Sequence, residues 1–294
     1  VSLQNTSTKW VLFLSTHDQA PEDRHIYDLS FGIVCLEQAG VNPEDIFIYI
    51  DGQQRADIES KVSIGTNNTY SVRTSSDFFV DLETYSHDNL VMFVTGHGGI
   101  DGIDAPAPIT PYKLVDALKS SPDLKNSIVY LGQCYAGTFN YMPVSSTKES
   151  TNCVVLIGAT GLHQSLSLPT EETFNGNNLR WAANVFLLHA FKWFSAPKDI
   201  DGDGTNTIMD SYKYAGVQSN RSQIARKEQH FVDLIGSYQQ LVQAVTAANQ
   251  PTASLQAKIE EQAKRQNYSE ACTIYNVHQE CWILNSIPAQ LIRV

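Results

Sequence analysis

Two short runs constrain this chain more than any other feature: Asn89-Leu-Val-Met-Phe-Val-Thr-Gly-His97-Gly-Gly99 and Ser127-Ile-Val-Tyr-Leu-Gly-Gln-Cys134-Tyr-Ala-Gly137. Each is apolar, β-branched and aromatic, as strands are, and each breaks off at a glycine beside one reactive side chain. Between them, Thr110-Pro-Tyr-Lys-Leu-Val-Asp-Ala-Leu-Lys119 sets apolar residues at helical spacing behind a threonine cap and a first-turn proline. Strand, helix and strand make a βαβ unit, whose strands are parallel and whose carboxyl ends meet one edge of the sheet. Open α/β sheets bind their ligands at that edge. His97 and Cys134 are thereby delivered side by side as a candidate base and nucleophile.

The residue types suit that chemistry. A cysteine attacks as its thiolate, yet a free thiol is mostly protonated at neutral pH. A neighbouring imidazole accepts the proton and returns it to the leaving group. Gly98 and Gly99 allow a sharp turn and a close backbone approach. The backbone N–H groups of Gly98 and Cys134 then form a candidate oxyanion site. Taken singly, the histidine suits a hydrogen-bonded loop and the cysteine a buried core. Taken together at two strand ends of one βαβ unit, they point to catalysis.

These residues carry a resemblance. Phe-Val-Thr-Gly-His97-Gly and Val-Tyr-Leu-Gly-Gln-Cys134-Tyr-Ala-Gly-Thr138 resemble the His-Gly and Cys-x-Ser-Gly strand ends of the caspase–legumain superfamily of cysteine peptidases, closest to legumain-like and bacterial caspase-like members. Arg24-His25, after the strand Trp10–Ser15, is similar to the Arg-His pair that follows the first strand of legumains. The resemblance covers about the first 215 residues. It departs at Ala136, where a serine is usual, and at Gly132, where legumains carry an acid and basic-specific relatives an aspartate. It implies a three-layer α/β/α sandwich around a mostly parallel sheet of about six strands. It also implies that the loop after strand 152–158, with Thr160, walls a substrate cleft. Arg24, through its fixed fork of donors, would favour Asp or Asn at the first substrate position, although an ordinary ion pair at a helix start reads equally well. Gln133 faces either core or cleft, which strand alternation leaves open.

Elsewhere, a helix opens at Glu22 or Asp23 and closes at Gly40, and Ile46–Ile50 is a strand. The polar stretch 53–70 reads as a surface excursion. A helix runs from Ser75 or Ser76 to about Tyr85. Residues 160–178 contain no clear element, and a helix starts at Asn177 or Asn178 and passes through Trp181, Val185, Leu188 and Phe191. A peptidase-like domain over 1–220 is followed by an appendage over 221–294. The appendage is a helical hairpin, Ser222–Ala248 and Ala253–Gln266 broken at Pro251, serving as a structural addition or a regulatory cap.

A second motif is Asp199-Ile-Asp201-Gly-Asp203-Gly-Thr205-Asn-Thr207-Ile-Met-Asp210. Oxygen donors at positions 1, 3, 5, 7, 9 and 12, with glycine at 6, follow the calcium-loop pattern. Asp199, Asp201, Asp203, Thr205, Thr207 and Asp210 are therefore candidate ligands for a structural calcium, and a solvated acidic turn is the plainer alternative.

A formal charge of −11 disfavours nucleic acid and anionic membrane surfaces as partners. No apolar run reaches the length of a membrane span. The expected partner is a peptide or protein substrate. Of five cysteines, Cys35 and Cys153 read as buried thiols, while Cys272 and Cys281 could pair. That pair and the polar composition suggest a secreted or periplasmic protein, and a start at Val1 rather than Met fits either a trimmed chain or removal of a signal peptide. The expected function is a cysteine endopeptidase acting through an acyl-enzyme. A transpeptidase or ligase with the same dyad, or a non-catalytic, calcium-stabilised binding module, are the alternatives.

Overall fold

A computed structural model describes residues 1–84, 86–145, 152–174 and 176–294. The chain divides into two compact units, Val1–Ser219 with Gln279–Val294, and Asn220–His278.

The first unit is α/β. Its core strands are β1 (Thr8–Leu14), β2 (Ile46–Ile50), β3 (Val72–Arg73), β4 (Asn89–Thr95), β7 (Asn126–Leu131) and β8 (Cys153–Gly158), with β11 (Trp282–Leu284) at one edge. They form a seven-stranded sheet in the order β11-β8-β7-β4-β1-β2-β3, and every pairing is parallel except β11 on β8. The long strands are buried on both faces, which is why they read as continuous apolar runs rather than as alternations. Trp10, Leu12, Phe93, Tyr130 and Ile157 face helices α1 (Asp23–Gln38) and α5 (Val185–Ser195). Val11, Phe13, Val94, Leu131 and Leu156 face α3 (Ser75–Glu83) and α4 (Pro111–Ser120). The predicted βαβ unit is β4-α4-β7, with Val91 opposite Ile128 and Val94 opposite Leu131. Thr110 caps α4 by accepting the Lys113 N–H at 3.2 Å.

Several readings change. The excursion 53–70 contains a helix, α2 (Arg55–Val62), and is followed by the edge strand β3. α3 ends at Glu83, and the expected limit at Tyr85 lies outside the described residues. The stretch 160–178 is not structureless, and no helix starts at Asn177 or Asn178. Strands β9 (Ser167–Phe174) and β10 (Asn177–Asn184) pair antiparallel, and α5 begins only after Asn184. Trp181 is strand, with its indole N–H on buried Asp28 Oδ1 at 2.8 Å. Asn184 caps α5 by accepting the Leu187 N–H at 3.0 Å. Apolar spacing at 181, 185, 188 and 191 mimics a helix because Trp181 packs against Phe31 in the core that also takes α5. A small hairpin, β5 (Gly98–Gly99) with β6 (Gly102–Ile103), follows His97.

Residues 279–294, assigned from sequence to the appendage, return to the first unit through β11 and α8 (Ser286–Ala289). The Cys272–Cys281 pairing does not form: all five cysteines are free, and Cys281 donates toward Ala159 O at 3.5 Å instead. Helix α6 (Ile208–Ala248) starts well before the predicted Ser222 and runs on into the second unit. There it pairs with α7 (Leu255–Asn276), Phe231 meeting Tyr275 and Tyr238 meeting Tyr268 with ring centroids 5.9 and 5.6 Å apart. This is the expected helical hairpin, and α7 buries no residue fully. Among the described residues no helix is long and apolar enough to cross a membrane.

Candidate active site at the carboxyl edge of the sheet

From β1 the chain moves outward one way to β2 and β3, and the other way to β4, β7 and β8. The direction of the crossovers therefore reverses between β1 and β4, where α/β sheets open a crevice at their carboxyl ends. His97 follows β4 at this point and Cys134 follows β7 next to it. The two strand ends touch: a Cβ added to Gly98 would come 2.4 Å from Cys134 O and 2.5 Å from Gln133 Cγ. Only glycine fits there. Asp104 N–H donates to His97 O at 3.1 Å, so Gly98 faces Ile103 in a non-hydrogen-bonded pair and turns its own N–H away from the hairpin. Cys134 is half-buried, and its Sγ accepts the Ser165 N–H at 3.3 Å. The next residue, Tyr135, is left-handed at φ 55°, a strained conformation for a bulky side chain, and starts a 3-10 turn over Ala136–Phe139.

His97 is half-exposed, and its Nε2 lies 2.7 Å from Glu22 Oε1. Glu22 Oε2 accepts Arg24 Nε at 2.5 Å, and Arg24 Nη1 reaches Ser167 Oγ at 3.0 Å. Hydrogen bonds from Arg24 and then from His97, acting against partial burial, pull the Glu22 carboxyl down to about 2. The Arg24 guanidinium is thus partly committed to Glu22 and to β9. Beneath them His25 is buried, its ring perpendicular to that of His97 at 5.2 Å. Burial pushes its pKa down. Its Nδ1 lies 3.2 Å from Thr95 Oγ1, and Thr95 donates to Asp28 Oδ2 at 3.0 Å. Its Nε2 is buried with no hydrogen-bond partner among the described residues. On the other flank His17 Nδ1 sits 2.8 Å from Asp104 Oδ1, a contact that raises the histidine's pKa.

Two predicted substrate contacts are placed differently. Gln133 is 1 % exposed, turned to the face that carries Leu131, and neither amide atom has a partner among the described residues. Thr160 is fully buried, and its hydroxyl sits 2.7 Å from His163 Nδ1. Thr160 supports the loop after β8 from behind and does not line the crevice. That loop is laced to the Cys134 turn by Tyr135 N–H to His163 O at 2.8 Å and Gly137 N–H to Gly161 O at 3.2 Å. Trp282 of β11 holds its back by donating to Thr160 O at 2.8 Å. Gly132 has its own reason: a Cβ there would meet Leu187 Cδ1 at 2.6 Å and Val94 O at 2.9 Å, so no acid fits. Asn184 Nδ2 donates to Gly132 O at 2.6 Å and anchors the backbone before Cys134.

Glu22, Asp104 and Asn184 were not singled out from sequence. Glu22 looked like a helix cap, and its distance of 75 residues from His97 hides the contact. Beside the crevice, sharing Thr16 and Asp18 with it, a cavity of about 490 Å³ opens past β1, with His17, Asp51, Ser75 and Lys113 in its walls.

In the acidic loop, the carboxylates of Asp199, Asp201 and Asp203 converge, with one oxygen of each within 4.8 Å of the others. This donor set fits a hard cation. The rest of the expected set is engaged otherwise. Thr205 Oγ1 donates to Asp203 Oδ1 at 2.7 Å, and Thr207 Oγ1 to Asp210 Oδ2 at 2.7 Å. Asp210, fully buried, also takes the Ile200 N–H at 2.9 Å and acts as the acid of a capping box for α6. Burial raises its pKa, but hydrogen bonds from Thr207 and from the Ile200, Thr207 and Asp201 N–H groups leave it below the usual range.

A scan against protein-family models gives no match. A search of curated protein sequences gives none either.

Proposed function

We propose that this chain is a cysteine endopeptidase of the caspase–legumain type, with Cys134 as nucleophile and His97 as general base and then acid. One observation carries the reading: two independent strand ends bring His97-Gly98 and Gln133-Cys134 into backbone contact beside the switch point of a parallel sheet. His97 takes the thiol proton as Cys134 Sγ attacks the scissile carbonyl. The oxyanion is held by the Gly98 and Cys134 N–H groups. His97 returns the proton to the leaving amine, and water resolves the acyl-enzyme. A peptide or protein lies across the crevice, with the adjoining cavity taking side chains beyond the scissile bond. Where an amine replaces water, the same dyad acts as a transpeptidase or ligase. The Glu22–Arg24 pair supports a first-position preference for Asn over Asp, because the Arg24 charge is already partly balanced. Calcium is proposed on Asp199, Asp201 and Asp203, bracing the turn into α6.

The test is labelling with peptidyl acyloxymethyl ketones carrying Asp, Asn, Arg or Lys at the first position, on the wild type and Cys134→Ala. Labelling that is lost in Cys134→Ala supports the reading, with the Asn probe reacting fastest. No labelling by any probe, with calcium present and after limited proteolysis within 220–278, sinks it in favour of a calcium-stabilised binding module.

A further inference from the structure

The geometry points to a transition-metal site, of the kind that takes Zn²⁺, formed by Glu22, His25 and His97 across the crevice between β1 and β4. One ligand atom from each of the three lies within 4.8 Å of the others. Two imidazoles and one carboxylate are a donor set for zinc and its neighbours rather than for calcium or magnesium.

Three observations make this a prepared site rather than a chance cluster. His25 is 4 % exposed, and the buried Nε2 has no partner among the described residues, although a buried polar atom ordinarily finds one. Its Nδ1 is meanwhile fixed by Thr95, backed by the Asp28 carboxylate 3.8 Å away. That arrangement fixes a metal-binding histidine's ring and presents its other nitrogen. Glu22 is held in the same way: Arg24 grips Oε2 and leaves Oε1 turned to His97 Nε2 at 2.7 Å. Ligand atoms around tetrahedral zinc sit about 3.3 Å apart, given bonds of about 2.0–2.1 Å. Glu22 Oε1 and His97 Nε2, 2.7 Å apart, therefore need to part by about 0.6 Å. Three protein ligands leave a fourth position open to water.

The consequence for the dyad follows from imidazole chemistry. A neutral ring bound to metal through Nε2 carries its proton on Nδ1, so neither nitrogen is left to accept the thiol proton. Zinc here switches off His97 without touching Cys134. This regulatory consequence rests on the peptidase reading, whereas the binding site does not.

The experiment is calorimetric titration of the full chain with ZnCl₂ in a non-coordinating buffer. The wild type, Glu22→Gln, His25→Asn, Cys134→Ala and Asp199→Asn are compared. One zinc per chain is expected in the wild type, Cys134→Ala and Asp199→Asn. At least tenfold weaker binding is expected in Glu22→Gln and His25→Asn. Glu22 is surface-exposed, so its variant keeps the test decisive even where His25→Asn misfolds. Cobalt(II) in place of zinc should lack a thiolate charge-transfer band. No saturable zinc binding in the wild type, unchanged binding in Glu22→Gln, or binding lost in Cys134→Ala would overturn the site. Probe labelling of Cys134 that persists at saturating zinc overturns the regulatory role. A chain that binds zinc as described yet never labels, with or without metal, leaves the site standing and removes the peptidase.

Discussion

His97 Nε2 is hydrogen-bonded to Glu22 Oε1 at 2.7 Å, joining the end of β4 to the loop that follows β1. This contact fixes the imidazole ring, so Glu22→Gln should lower kcat/KM about tenfold with far-UV circular dichroism unchanged. Glu22 titrates near 2 in the fold instead of at its ordinary 4.5. A depressed carboxyl stabilises the fold fully above its unfolded pKa and loses that contribution as pH falls through the folded one. The difference in melting temperature between wild type and Glu22→Gln should therefore be full at pH 6 and shrink from pH 4.5 towards pH 2. A difference that grows on acidification would contradict the contact.

Gly98 and Gly99 make an internal control. A Cβ at Gly98 would strike Cys134 O at 2.4 Å, whereas one at Gly99 meets nothing within 4 Å. Gly98→Ala should slow labelling of Cys134 at least tenfold by forcing the two strand ends apart. Gly99→Ala should stay within about twofold of wild type. Equal effects of the two substitutions would mean that the strand-end contact is not what positions the thiol.

Asn184 caps α5 and also donates to Gly132 O, two residues before Cys134. Asn184→Ala should cost about 2–3 kcal/mol in urea unfolding, from the lost cap and a buried carbonyl left unpaired. A loss under 0.5 kcal/mol, about the size of an ordinary surface substitution, would show that neither bond matters.

Gln133 was a substrate-contact candidate and lies in the core with neither amide atom partnered by the described protein groups. Gln133→Met keeps the length while removing both polar atoms, and should stabilise the fold by about 1 kcal/mol. It should leave the order of probe preference unchanged. A reversed preference would return Gln133 to the cleft.

Calcium at the Asp199–Asp203 turn predicts a rise in melting temperature that saturates with added calcium and disappears in Asp201→Asn. Lys213, which pairs with Asp201 at 2.8 Å, would be released on binding. No thermal shift at millimolar calcium would leave the loop as a capping turn for α6.

Local pattern was enough for the βαβ unit that carries His97 and Cys134, the parallel sheet, the helical hairpin and the acidic turn. Each rests on period, caps and glycines within a few residues. The β9–β10 hairpin was hidden because Trp181 and the α5 residues all bury against one core, so their spacing resembles a single helix. The return of residues 279–294 was hidden because an edge strand as short as Trp282–Leu284 has no pattern of its own. The ring of groups around His97 and Cys134 shows the same division. Sequence singled out these two candidates, because a histidine and a cysteine at glycine-ended strands are visible locally. Only the tertiary structure added Glu22, Asp104 and Asn184, turned Gln133 and Thr160 inward, and left the buried His25 Nε2 without a hydrogen-bond partner among the described residues. The physical reason is that side-chain direction and long-range pairing depend on how strands β1, β4 and β7 are ordered in the sheet, and no stretch of chain encodes that order alone.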